Sequence, residues 1–333
     1  MTRLLVLFLL TSSLTITVNG QDSHSYDSLI RKYISLQDYE NGIILAKRGL
    51  AVEPDNKELN KDLVLCYYFQ NNFDKAIDLL VKLINKNIAD DQCFQVAGEI
   101  YKLQNLPKDA EIIFQKGILR YPNNGPMYNE IANLLWEQKN ENAISYWEKG
   151  IEMDPNYSKN YFNAAGYYSF KKNWLRTILY AEIFVNLESF SDKTNEVKEL
   201  LLNAYKYMLI KRESDLIGEY KSKFSEFFIK NLFTQKEIND TIINTDELIK
   251  IRTRFILNWF DKNTSPFPYK LFDYHLELLQ NGLFEAYNQW LFGASDNLAV
   301  FHLWKQRHSV EYDEFIHLQK SRLFKIPTNQ YYQ

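Results

Sequence analysis

The chain has 333 residues, of which 46% are hydrophobic and 24% charged, with a formal net charge of −3. That length can bury one long repeat array with an extension, or two domains, and the weakly acidic balance lacks the clustered basic surface that phosphate recognition needs, which excludes a nucleic-acid partner. Only 11 Gly and 8 Pro suit many helices and few β-turns.

Met1, Thr2 and Arg3 precede an apolar run from Leu4 to Leu10 that thins out towards Val18. A basic start, a short apolar core and small residues near Gly20 predict a cleaved secretory leader over 1–20, with a mature chain starting near Gln21. Thr11, Ser12, Ser13, Thr15 and Thr17 leave the segment polar and short for a membrane span, and no later stretch is apolar for long enough, so no integral span is expected in the mature chain. The chain is expected to be exported, periplasmic or secreted, and its Asn, Lys, Ile and Tyr content favours a bacterial envelope.

From residue 21 to about 190 the chain repeats. Ala76 and Ala110 stand 34 residues apart, and Pro54 and Pro122 twice that, a period that belongs to stacked helix-turn-helix units. The clearest unit begins at Asp91: Phe94, Ala97, Gly98 and Tyr101 precede a Leu106-Pro107 turn, then Ala110, Phe114 and Gly117 lead to Pro122. Small residues fit where two helices cross closely, large ones fill the gap between them, and Pro stops the second helix. Neighbouring units match less fully: Tyr26, Leu29, Ile30 and Tyr33 with Gly42, Ala46, Gly49 and Pro54; Leu63, Val64 and Tyr67 with Ala76, Leu80 and Leu83; Tyr128, Ile131, Ala132 and Leu135 with Ala143, Trp147, Gly150 and Pro155; and Tyr161, Ala164, Ala165 and Tyr168 with Thr177, Ala181 and Phe184. In the fourth unit the interhelix turn is predicted one residue shorter than in the others. This pattern resembles the tetratricopeptide repeat (TPR) family over roughly half the chain. The resemblance implies an all-α, TPR-type helix-turn-helix solenoid of about five repeats, and a role in holding a partner.

It also implies which positions face the groove. Counting along the family's first helices gives Lys61, Tyr68 and Phe69 in the second unit, Gln95 and Lys102 in the third, Asn129, Asn133 and Trp136 in the fourth, and Phe162 in the fifth. Rings beside amides suit an extended peptide, whose side chains the rings bury while Asn and Gln bond its backbone. Asp27 stands where the family's carboxylate-clamping members carry Lys, which counts against such a clamp. The groove could instead be filled by the chain's own C-terminal segment. Cys66 and Cys93 are the only thiols; their positions in adjacent units offset them by about 10 Å along the helix axis, beyond the reach of a disulfide, so no Cys66–Cys93 bridge is expected.

Beyond the repeats, residues 191–230 read as capping helices, led by the apolar stripe Val197, Leu200, Leu201, Ala204, Tyr205, Met208 and Leu209. Further helices are predicted over 214–230 and 246–261, and a break over 263–268 at Pro266 and Pro268. Within a C-terminal helical domain over 231–333, helices over 271–280 and 283–292 are predicted to stop at Asn281-Gly282 and Gly293, with two more reaching residue 325. Phe284, Tyr287, Trp290 and Phe292 are read as core in preference to a stacking platform. No GxSxG, P-loop, HExxH or CxxC occurs, and the five histidines, at 24, 275, 302, 308 and 317, lack the spacing of a helical metal site. The sequence therefore predicts no catalytic residues, cofactor or metal, and a non-catalytic scaffold that binds a protein or peptide. A carbohydrate-binding repeat protein and an unrecognised hydrolase are the alternatives.

Overall fold

The computed structural model describes residues 23–211, 213–220, 222–233, 243–261 and 266–330; the leader expected over 1–20 lies outside the described residues. Among these, every regular element is helical. The chain divides into two compact units, Met1–Asn105 and Leu106–Gln333.

The first unit contains α1 (Ser23–Ser35), α2 (Tyr39–Val52), α3 (Lys57–Phe69), α4 (Phe73–Asn85) and α5 (Asp91–Leu103). Each helix packs on the next in the chain, and α1 also touches α3, so first helices line up beside one another as the repeat requires. Ala46 and Ala76 are fully buried, because a methyl group is what the helix crossing admits. Asp38, Asn56 and Asp90 cap α2, α3 and α5 by accepting the backbone N–H of Asn41, Leu59 and Cys93, which satisfies donors that no helical carbonyl reaches.

In the second unit α6 (Pro107–Arg120), α7 (Gly125–Glu137), α8 (Ala143–Met153), α9 (Ser158–Phe170), α10 (Trp174–Leu187) and α11 (Thr194–Leu209) continue the alternation. Gly150 of α8 marks a close crossing: a Cβ there would stand 2.4 Å from Asn160 Nδ2 of α9. The turns inside the five helix pairs share one backbone signature. Gln37, Asn71, Asn105, Lys139 and Lys172 all adopt left-handed φ values of 57° to 60°, at intervals of 34, 34, 34 and 33 residues. In four of them the following amide bonds back to the carbonyl five residues earlier, as Asn72 N does to Tyr67 O at 2.8 Å, giving the paired Schellman bonds that close a helix.

The fourth pair is one residue shorter, as expected: its left-handed Lys139 precedes the buried Ala143 by four residues, where Asn71 precedes Ala76 by five. Regular helix nevertheless resumes only after 138–142, against three-residue links such as 70–72. The missing residue is absorbed in a tight first turn, in which Ala143, Ile144 and Ser145 donate to Asn140, Glu141 and Asn142, the three-residue bonding of a 3₁₀ turn.

α11 packs against α10 as a capping helix should, but its other side is also covered, by a π-turn (Gln289–Gly293) and α17 (Ala294–Asp296). It is a joint between repeat and C-terminal helices, and its exposed residues include the strip of Asn195, Glu199 and Asn203. The helix expected over 214–230 is two, α12 (Glu213–Glu219) and α13 (Lys223–Phe233), parted at Tyr220 just after the weak helix former Gly218. There follow α14 (Thr245–Phe260), α15 (Lys270–Gln280), α16 (Phe284–Asn288), the π-turn with α17, α18 (Leu298–Arg307) and α19 (Ser309–Ser321). Gly282, with φ of 73°, ends α15 as its sequence suggested. Gly293 does not end its helix. Its backbone stays right-handed helical because the extra residue of the π-turn carries the chain onward to Asp296.

Rings fill this half of the unit. Trp259 lies 4.7 Å from Phe272 and 5.3 Å from Phe255, and Phe284, Tyr287, Trp290 and Phe292 are all buried, as core residues.

Candidate functional site

The residues assigned to the groove fare differently in the two units. In the second unit α7 and α9 run side by side and carry a ladder of carboxamides. Asn163 donates to Asn133 at 3.1 Å, Asn133 to Asn129 at 3.1 Å, Asn129 to Asn160 at 3.3 Å, and Asn160 to the Gly125 carbonyl at 3.2 Å. Asn129, expected to face a ligand, is 1% exposed and is corrected to an internal rung. Burying an amide requires that its donors and acceptors be met, and Asn160 and Asn133 meet them. The outer rungs, Asn133 and Asn163, are half-buried.

Beside them lies a cluster of rings. Trp136 is 37% and Phe170 68% exposed, their centroids 6.1 Å apart, and Tyr167 and Trp147 hold Trp136 edge-on at 5.5 and 6.1 Å. Phe162 leans on Phe184 at 5.4 Å, with Lys193 Nζ 5.5 Å above its ring. Gly166, one turn from both Phe162 and Phe170, has open space where a side chain would stand. Asn133, Trp136 and Phe162 thus border one accessible strip, together with Asn163, Gly166 and Phe170. Of these last three, Phe170 is groove-facing by the same count along the first helices that gives Phe162. Nothing in a lone Gly or Asn marks the other two.

The described part of the C-terminal segment is held elsewhere. Asn156, in the loop before α9, donates to the Ile326 carbonyl at 3.1 Å and accepts its amide at 2.8 Å, while Phe324 packs on Tyr274.

In the first unit the candidates are more committed. Lys61 is 19% exposed and bridges Asp90 at 2.9 Å and Glu58 at 3.5 Å. Burial pulls its pKa down, but these carboxylates outweigh burial and raise it, so Lys61 serves as a strut and is withdrawn from the free cations of the face. Lys102 pairs with Glu99 at 3.0 Å. Phe69 is 44% exposed and stacks on Tyr39 at 5.7 Å, with Tyr68 edge-on at 5.3 Å. Gln95 is half-buried. Where a clamp would need Lys, Asp27 and the buried Asp62 face each other across α1 and α3, with Arg31 3.1 Å from Asp27 and 3.7 Å from Asp62. Burial, then the neighbouring Asp27 carboxyl, pushes Asp62 up to about 7, the expected result when two carboxyls share one proton.

Sequence patterning gave no sign of the most buried polar cluster. Glu182, on α10, is 1% exposed. Its Oε1 accepts from Arg252 of α14, from His275 Nε2 of α15 at 2.9 Å and from the Tyr287 hydroxyl of α16 at 2.9 Å. Its Oε2 accepts from Tyr205 of α11 at 3.4 Å. Burial opposes the charge on Glu182, yet Arg252 and His275 more than offset it and hold the carboxyl near 2. Burial lowers the His275 pKa, so the ring is neutral and spends its Nε2 proton on Glu182. Alongside, Asn186 donates to Tyr287 at 2.8 Å, and Gln319 of α19 donates to Asn186 at 3.3 Å and accepts from Tyr274 at 2.6 Å. With Glu182, Arg252 and His275 all buried, the cluster fastens the last repeat helix to the C-terminal helices. Cys66 and Cys93 are both buried and unpaired, and burial pushes each thiol up to about 12.

No protein-family model matches the chain and no curated protein matches it in sequence. Several solved structures resemble it in fold. A PilF structure from Pseudomonas aeruginosa shares 13% identity over 61% of this chain and 94% of that one, with a TM-score of 0.48. The C-terminal part of a TPR protein from Cytophaga hutchinsonii shares 15% over 83% and 95%, with a TM-score of 0.45. A tetratricopeptide repeat protein from Parabacteroides merdae shares 10% over 78% and 100%, with a TM-score of 0.43. The chain is built of tetratricopeptide-type helix pairs, as its own turns and crossings require. Among the described residues no helix is long and apolar enough to cross a membrane.

Proposed function

We propose that the chain is a non-catalytic scaffold that binds a protein or an extended peptide along its first helices, in the cell envelope or secretory space. The observation that carries this reading is the strip on α7 and α9, where Trp136 and Phe170 keep 37% and 68% of their surface exposed beside the half-buried amides of Asn133 and Asn163. Exposed rings of this size are costly to leave in water and gain from burial against apolar side chains. The neighbouring carboxamides can meet a backbone that a ring alone could not orient. In the first unit Phe69 and Tyr68, with Gln95 and Lys102, form the comparable face. The expected leader over 1–20 supports export of the chain to the compartment where such a partner resides.

Selection from a random peptide library on the purified mature chain tests this. Enriched peptides should carry apolar or aromatic anchors, and their affinity should fall by about tenfold or more with Trp136→Ala and Phe170→Ala, since ring truncation at a binding centre costs on the order of 2 kcal/mol. Peptides that bind both variants as tightly as the parent would remove the strip from the binding site.

A further inference from the structure

A cleft of about 280 Å³ lies in the C-terminal half of the second unit, lined by Asn244, Thr245, Asp246, Gln289, Gly293, Asp296, Asn297, Val300 and Phe301. Its volume falls below the range of drug-sized pockets, so its occupant is small. Four features of its wall decide what that occupant is.

The first is Gln289. Its residue is only 2% exposed, yet it lines the cleft; it enters no side-chain hydrogen bond within the described residues, and its carboxamide is not sealed from the cleft. An occupant of the cleft can therefore supply the partners that the fold does not. The π-turn holds it there: the turn inserts one residue into the helix and aims the side chain across Gly293, whose missing Cβ would otherwise stand 2.5 Å from Gln289 Oε1. Such insertions recur at functional sites.

The second is charge. Helix N-termini attract anions, and those of α14 and α18 both open here. That of α14 already holds one, because Asp296 accepts from the Thr245 amide at 2.8 Å and hydroxyl at 3.0 Å, with Lys206 on its other oxygen at 2.7 Å. Asp246 adds a second carboxylate at an exposed position. A free anion would meet two negative charges. The third feature is which groups are left to bond hydroxyls: Gln289 and the exposed Asp246 are open to an occupant, whereas Asp296, Thr245, Asn244 and Asn297 already spend their side chains on Lys206 and on helix caps and shape the wall. The fourth is Phe301, which with Val300 supplies the apolar part of the wall and can cover the C–H face of a ring-shaped ligand.

We infer that this cleft binds a neutral polyhydroxyl ring of monosaccharide size, with Gln289 and Asp246 bonding its hydroxyls and Phe301 covering its apolar face. The site is independent of the peptide-binding strip, and its test does not touch residues of that strip.

Titration calorimetry of the purified mature chain is run with glucose, galactose, mannose and N-acetylglucosamine, with their neutral oligosaccharides, and with inorganic phosphate. At least one neutral sugar is expected to bind saturably while phosphate gives no heat. Tighter binding of the oligosaccharide assigns the cleft to the terminal residue of a glycan, and equal binding assigns it to the free sugar. Gln289→Leu is expected to weaken binding by about tenfold, the loss of one or two well-made hydrogen bonds. Should Gln289→Leu fail to fold by circular dichroism, Asp246→Ala at its exposed position decides alone, with weaker binding and an unchanged helical signal expected. The proposal is overturned if the whole neutral panel is silent, if phosphate binds in its place, or if the folded variants bind sugar as the parent does.

Discussion

Replacing Glu182 with Ala tests the fastening between the repeats and the C-terminal helices. In the parent, Glu182 neutralises Arg252, which is 2% exposed, and accepts hydrogen bonds from His275, Tyr287 and Tyr205. Removing the carboxylate strands a guanidinium in the core, and breaking a buried ion pair from one side costs about 3–5 kcal/mol. In a cooperative unit of this size each kcal/mol moves the melting temperature by about 2–4 °C, so a fall on the order of 10 °C is expected in calorimetry. The double change Glu182→Leu with Arg252→Met removes both charges and keeps the volume, and it should recover most of that loss, since apolar replacement of a buried pair is often neutral. The refuting result is a Glu182→Ala protein that melts within 1–2 °C of the parent, or a double variant no better than the single one.

Four further outcomes follow from the same geometry. Asp62, raised to about 7 in the fold from its ordinary 3.8, stabilises the protein fully below the unfolded value and loses that contribution as pH climbs through neutrality; denaturant melts from pH 4 to 8 should show a decline with rising pH that Asp62→Asn flattens. Glu182 has the opposite sign: its carboxyl is depressed, so its contribution is present above the ordinary carboxylate range and is lost in acid, and Glu182→Gln should lessen the acid sensitivity. Cys66 and Cys93 should resist alkylation at neutral pH until denaturant is added, by mass spectrometry; rapid native labelling of either would contradict their burial. Lys139→Gly and Lys172→Gly, at left-handed φ of 60° and 57°, should each stabilise by up to about 1 kcal/mol, where a loss would mean that the lysine stems contribute packing there.

The repeat half of the fold was legible because its constraints are local. Ala46, Ala76 and Ala110 mark helix crossings by size alone, and a Pro or its absence marks the end of each pair. The left-handed turn residues were hidden because Gln37, Lys139 and Lys172 occupy a conformation that sequence associates with Gly or Asn, and only the backbone reveals their 34-residue beat. Asn129 was misplaced because position on a helix face does not report whether a neighbouring helix brings its own amide; Asn160 does, and so turns a surface residue inward. Glu182, Arg252 and His275 lie 23 to 93 residues apart on three helices, and each alone reads as an ordinary solvated side chain. Trp290 and Phe292 are legible as core, but the π-turn that aims the adjacent Gln289 into a cleft has no sequence signature comparable to a glycine cap.

The binding face itself is most directly examined by placing a photo-crosslinking residue at Phe170 on the strip and, as a control, at Lys149 on the exposed side of α8, whose side chain is 49% exposed, then irradiating each with a library-selected peptide. Crosslinking at position 170 and none at position 149 is the expected result. Equal labelling at both positions, or labelling at 149 alone, would contradict the assignment of the α7 and α9 strip as the working surface.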